Sequence, residues 1–119
     1  MSKYARDLLK ENESAVVIFT RGEKFHFDKS GRGYSGNWLI RRDHFDRVII
    51  YYRPNELSAG AEIYIGNFDR IDQAIEPETP ENRIARRSVH FENLKSAGET
   101  DVNFHQFTGT QRNSFCFIN

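Results

Sequence analysis

The stretch Gly31-Arg32-Gly33-Tyr34-Ser35-Gly36-Asn37-Trp38 sets three glycines at G-x-G-x-x-G spacing beside a guanidinium, a phenol, a carboxamide and an indole. Such glycines let backbone N–H groups close on a pyrophosphate when a strand leads into the run and a helix follows it. Here the run leads into Trp38-Leu39-Ile40, a strand pattern, so context rejects dinucleotide binding. Two readings stay open. Either the glycine loop wraps a ligand that stacks on Tyr34 and Trp38, or it is a long strand connection with Trp38 in the core.

Arginine is the second chemical signal, supplying twelve of the 17 basic residues. Arg41-Arg42 with Arg47, and Arg83 with Arg86-Arg87, are the densest groups, and guanidinium forks hold phosphates bidentately and stack on bases. The same groups also suit a solvated strand face paired with cross-strand acids.

The remaining reactive types carry little. His26, His44, His90 and His105 are scattered with no zinc-ligand spacing, and Cys116 sits alone in Phe115-Cys116-Phe117-Ile118 as a small core thiol. Asp43-His44 and Ser88-Val89-His90 lack a nameable third catalytic group. Asp69, Asp72, Glu76, Glu78 and Glu81 cluster as carboxylates without the lysine pattern of a metal-dependent nuclease. No metal, cofactor or catalytic residue is therefore expected, and the domain reads as a non-enzyme.

These residues need a scaffold, and the pattern predicts a β-rich one. Ala15 to Thr20 is a β-branched run, and Lys24 to Asp28 alternates Phe25 with Phe27 as its hairpin partner. Trp38–Ile40, Val48–Tyr52, Ala61–Ile65, Ile84–Phe91 and Phe115–Ile118 are further strands. Pro77 to Asn82 reads as a loop and Ser96 to Thr100 as a break. A short amphipathic helix is expected between Ser2 and Asn12, and a second helical turn over Asp101 to Phe107. The fold class is mainly β with α (α+β), a small closed or partly open barrel built as one domain over residues 1–119.

Composition narrows the function classes. With 17 basic and 17 acidic residues in 119, the chain is not a uniformly basic nucleic-acid coat. Charge is nonetheless segregated: residues 21–53 carry eight basic and four acidic side chains, 54–82 carry one and seven, and 83–119 carry five and three. These blocks form either opposed basic and acidic faces or a mutually neutralised sheet. A lone cysteine excludes a disulfide-stapled module, and no apolar run approaches the ~18 residues of a membrane span, so no membrane contact and a cytoplasmic setting are expected.

Three stretches carry a resemblance: Gly31 to Ile40; Asp46 to Tyr52 followed by Ala61 to Phe68; and Asn103 to Asn113. Together they resemble the PUA-like modules, of EVE and ASCH type, attached to modification-dependent restriction enzymes. The resemblance implies a small β barrel that receives a flipped, modified base in an aromatic pocket, a step costing a few kcal/mol. It implies Tyr34, Trp38, Tyr51 and Phe107 as stacking walls, Asn37 and Asn103 as base-edge readers, and Arg32, Arg41 and Arg42 as phosphate contacts. It further implies DNA as partner, a fused or separate nuclease, and a role in restriction or phage defence. The alternatives are a binder of a nucleotide-like small molecule in the same cavity and a protein-interaction or inhibitor domain acting through a sheet face.

Overall fold

A computed structural model describes residues 4–55, 60–75, 86–109 and 114–119. The Pro77 to Asn82 loop, the beginning of the expected strand at Ile84, Arg83, and the acids Glu76, Glu78 and Glu81 lie outside the described residues. So do residues 2 and 3 of the expected first helix and residues 110–113 of the third resembling stretch.

Among the described residues, seven strands make up one mixed sheet: β1 (Ala15–Thr20), β2 (Phe25–Phe27), β3 (Gly33–Trp38), β4 (Arg47–Tyr52), β5 (Ala61–Gln73), β6 (Arg87–Thr100) and β7 (Phe115–Ile118). Their order across the sheet is β2-β3-β6-β5-β4-β1-β7. Only β1 and β4 run parallel, in register from Ala15 beside Arg47 to Thr20 beside Tyr52. The strand-rich α+β class expected from sequence is what the structure shows. The hydrogen-bonded sheet is open, with β2 and β7 as its ends.

The uninterrupted apolar run of β1 exists because both of its faces are covered, the condition under which strands lose polar alternation. On one face Ala15 and Val17 join Ile49, Tyr51, Ala61 and Ile63 beneath Ala5, Phe104 and Phe107. The covering elements are a single 3₁₀ turn (Ala5–Leu8) and helix α1 (Phe104–Thr108). On the other face Val16 and Ile18 meet Val48, Ile50, Phe45, Val89 and Phe91. No helix covers that second face among the described residues, and the sheet covers it by curling. Phe25 of β2 reaches Tyr52 of β4 at 5.9 Å between ring centroids, and Trp38 of β3 meets Phe115 of β7 edge-on at 5.7 Å. The two halves of the sheet therefore touch through rings.

Several sequence expectations are corrected. The strand expected at Trp38–Ile40 ends at Trp38 and is built from the glycine run itself. Gly33 and Gly36 sit where the neighbouring backbone or side chain leaves little space: a Cβ on Gly33 would collide with the β2 backbone at His26 and Phe27, and one on Gly36 would press on Ile75 at 3.1 Å. Gly31, at φ +83°, packs on the backbone of Leu94, which donates to the Gly31 carbonyl at 2.9 Å. These glycines let β3 and the turn before it approach β2, β6 and Ile75 closely, which answers for their spacing without a phosphate.

The expected break at Ser96 to Thr100 is strand, and β5 continues past Ile65 to Gln73. Register shifts between Ile63 and Tyr64, Ile65 and Asn67, and Phe68 and Arg70 absorb the irregular residues, so the ladder survives them. The expected N-terminal helix is only the one 3₁₀ turn, in keeping with the weakness of short helices without strong packing. Helix α1 overlaps the expected 101–107 stretch, starting at Phe104 and ending one residue beyond it.

Two carboxylates secure turns. The Asp46 side chain accepts from the Ser14 backbone N–H at 2.9 Å and from its hydroxyl at 3.3 Å, joining the entries of β1 and β4. Asp28 accepts from the Ser30 hydroxyl at 2.6 Å and from the Ser30 and Arg32 backbone N–H groups at 2.9 and 3.2 Å. The Ser14 backbone N–H holds Asp46, and the Ser30 hydroxyl holds Asp28, below the usual carboxylate range.

Two outcomes follow. Gly31→Ala is expected to lower unfolding stability in urea by at least about 2 kcal/mol, because alanine disfavours this φ and its Cβ meets backbone that cannot turn aside. Because Asp46 is more acidic folded than unfolded, its stabilisation is present above the unfolded value and lost as pH falls through the folded one. The melting-temperature gap between the native chain and Asp46→Asn should therefore narrow below about pH 4. A gap independent of pH would show that the carboxylate charge contributes nothing there.

Candidate functional site

Where the curled sheet brings β3 toward β1 and β7, a cleft of about 660 Å³ remains. Thr20 and the β1–β2 turn form one wall through Arg21, Glu23 and Lys24. Gly36, Asn37 and Trp38 of β3 form the other, with Phe19, Arg86 and Ser114 completing the lining. Three cations and one carboxylate leave the described lining with a positive balance, which favours anionic ligands.

Trp38 is half-buried, packed against Phe115 on one side and lining the cleft on another. Its indole Nε1–H donates to the buried Ser35 hydroxyl at 3.0 Å, which fixes the ring plane. Phe19 is held against Tyr51 (5.4 Å, 26° between planes) and edge-on to Phe104, and the Arg21 guanidinium lies 6.0 Å over its ring. Phe19 and Trp38, both in the cleft lining, are thus each locked by one of the two cores.

Asn37 lines the cleft, yet its amide is committed. Its Nδ2 donates to the Ile75 carbonyl at 2.7 Å and its Oδ1 accepts from the Ile75 N–H at 2.6 Å. The side chain imitates a strand partner and ties β3 to the end of β5. The Asn37 carbonyl accepts from Arg86 at 3.4 Å, which draws that guanidinium to the cleft wall.

The other expected site residues disperse. Tyr51 and Phe107 are core, 1% exposed each, with rings 5.6 Å apart, and the Tyr51 hydroxyl donates to the Val102 carbonyl at 2.7 Å. Asn103 caps α1, accepting from the Gln106 N–H at 2.8 Å. These three are corrected from pocket walls and reader to structural parts: an interior sealed on both faces consumes the rings that sequence spacing could not assign to a side. Tyr34 is in register with His26 and His90 on neighbouring strands, its ring 6.1 and 5.8 Å from theirs, in a row outside the cleft lining.

The expected phosphate contacts also lie elsewhere. Arg42 donates to the carbonyls of His44 and Asn119 at 3.1 and 3.0 Å and covers the Phe117 ring at 5.0 Å, fastening the last strand. Arg32 pairs with Glu92 at 3.8 Å on the surface. Arg41 is exposed and does not line the cleft. The cations that do line it, Arg21 and Lys24, sit in the turn after the first apolar run. The signal available in sequence was that turn's density of charge directly against a core strand.

Ser88 and His90 stand 3.0 Å apart, as a nucleophile and base would. Ser88 is fully buried, however, and its hydroxyl donates to the Gln73 carbonyl at 2.6 Å, so the imidazole Nε2–H must be the donor between them. Burial, and next the Arg70 charge, hold His90 below its ordinary value. The pair closes a strand contact and presents no hydroxyl to a substrate. Among the described residues no group of three acidic, histidine or cysteine side chains is placed to hold a metal ion, and no helix is long and apolar enough to cross a membrane.

Asn37→Ala strips both partners from the half-buried Ile75 backbone and is expected to cost about 1–2 kcal/mol in urea unfolding. An unchanged midpoint would free the amide for ligand reading.

The chain matches no protein-family model, no curated protein and no solved structure, which leaves its own geometry to speak for its function.

Proposed function

We propose that the protein is a non-enzymatic nucleic-acid recognition domain that takes an unstacked base, extruded or chemically modified, into the cleft at the sheet's open seam. The observation that carries this reading is the fixed, half-exposed indole of Trp38 lining a cleft that also holds Arg21, Lys24 and Arg86. An aromatic face accepts any base, and stacking is worth about 1–3 kcal/mol per base. The cations supply the phosphate attraction that positions a strand without reading its sequence.

The magnitudes favour a strand whose base is already unpaired. Extruding a base from a duplex costs a few kcal/mol, comparable to what one stacking contact returns. A single strand, or a duplex weakened by modification or mismatch, is therefore the preferred ligand. The PUA-like barrel, with the seam as its unclosed side, and a place beside a restriction nuclease belong to the same proposal. The cleft volume, within the ~300–1,000 Å³ usual for small-ligand sites, also supports a second reading, a free nucleotide as ligand.

Trp38 is the chain's sole tryptophan, so its fluorescence reports directly on the cleft. Short single-stranded DNA is expected to quench it at low salt, and plain duplex more weakly than duplex with a modified base. Lys24→Ala and Arg86→Ala should each weaken binding several-fold, with the salt slope reduced by about 0.7 for each phosphate no longer neutralised. Absence of quenching by every strand and duplex at about 20 mM salt would sink the proposal. Quenching and thermal stabilisation by mononucleotides alone would transfer it to the second reading.

A further inference from the structure

The polar side chains of the cleft divide into those already engaged and those that are not. Asn37 is saturated by Ile75, the Trp38 indole N–H is held by Ser35, and Thr20 Oγ1 accepts from the Gly22 N–H at 3.0 Å. Glu23 is different. It lies in the lining between Arg21 and Lys24, is exposed, and makes no hydrogen bond or ion pair with any described residue. It is the single carboxylate among the described lining residues.

We infer that Glu23 reads the Watson–Crick edge of the base stacked on Trp38 and selects guanine. The inference rests on the nucleic-acid reading of the cleft and names the base it takes. An ionised carboxylate only accepts, and it does so through two adjacent oxygens. Guanine alone offers two adjacent donors on that edge, N1–H and the N2 amino group, so two parallel hydrogen bonds form. Adenine and cytosine set one amino donor beside a ring nitrogen lone pair, which faces the second oxygen repulsively. Thymine and uracil present one N–H between two carbonyl oxygens and are repelled on both flanks. The Ser114 hydroxyl, the other lining side chain of small polar type, donates or accepts and so discriminates among none of them.

Strands of about five thymines, with the central position replaced in turn by guanine, adenine or cytosine, test this through Trp38 quenching at low salt. The guanine strand is expected to bind about ten-fold more tightly than the all-thymine strand, with adenine and cytosine between them. Glu23→Gln keeps one acceptor and gains a donor. It should abolish the guanine preference and raise adenine relative to guanine, while the all-thymine strand binds as well or better once the negative charge is gone. Glu23 is exposed, so unchanged thermal melting is the control for folding. Equal affinities for all four strands, or a guanine preference that survives in Glu23→Gln, overturn the role of Glu23 and leave the cleft reading standing. Failure of every strand to quench Trp38 overturns both.

Discussion

Burial of β1 and β4 on both faces is the constraint from which the rest of the molecule follows. Side chains from Ala15 to Ile18 and from Val48 to Tyr51 are at most 1% exposed, so neither face of this parallel pair can meet water. One face is roofed by α1 and the 3₁₀ turn. The other is roofed by the sheet's own outer strands, which bend until Trp38 reaches Phe115. A sheet that bends this far without hydrogen-bonding its ends leaves a gap between them. The cleft is that gap, so its position is a by-product of how the second core is sealed.

The same logic assigns roles to the polar groups around the gap. Asn37 substitutes for a missing strand partner of Ile75, and Arg42 does comparable work at the far end by joining His44 and Asn119 across Phe117. Groups that secure the fold are removed from recognition, because a donor or acceptor engaged at 2.6 to 2.7 Å is costly to release. Of the charged side chains in the β1–β2 turn, the Glu23 carboxylate is the one unengaged among the described residues.

Much of the scaffold was legible in the sequence because β-branched runs such as Val16-Val17-Ile18 and Val48-Ile49-Ile50 admit little else. The glycine run was harder. Gly33 and Gly36 resemble a phosphate loop by spacing, whereas their reason is contact with His26, Phe27 and Ile75, which a local pattern cannot place beside them. Of the expected site residues, Trp38 and Asn37 reach the cleft. Tyr51 and Phe107 do not, because alternation along a strand says which residues share a face and is silent on which face is sealed. Lys24 and Glu23 escaped notice because a charged turn is usually only a solvated turn. Their proximity to Trp38 arises from the curl of the sheet, a long-range property.

The long β5–β6 ribbon has a consequence for how the molecule holds together. Ala61, Ile63 and Ile65 at its open end belong with Ala97 to the core beneath α1, while Phe68, Ile71, Val89 and Phe91 toward its other end belong to the core inside the curl. Both interiors are therefore strung on one pair of strands. Neither can loosen without dragging on its neighbour's hydrogen-bond ladder, and the molecule should behave as a single cooperative block, lost or kept as a whole.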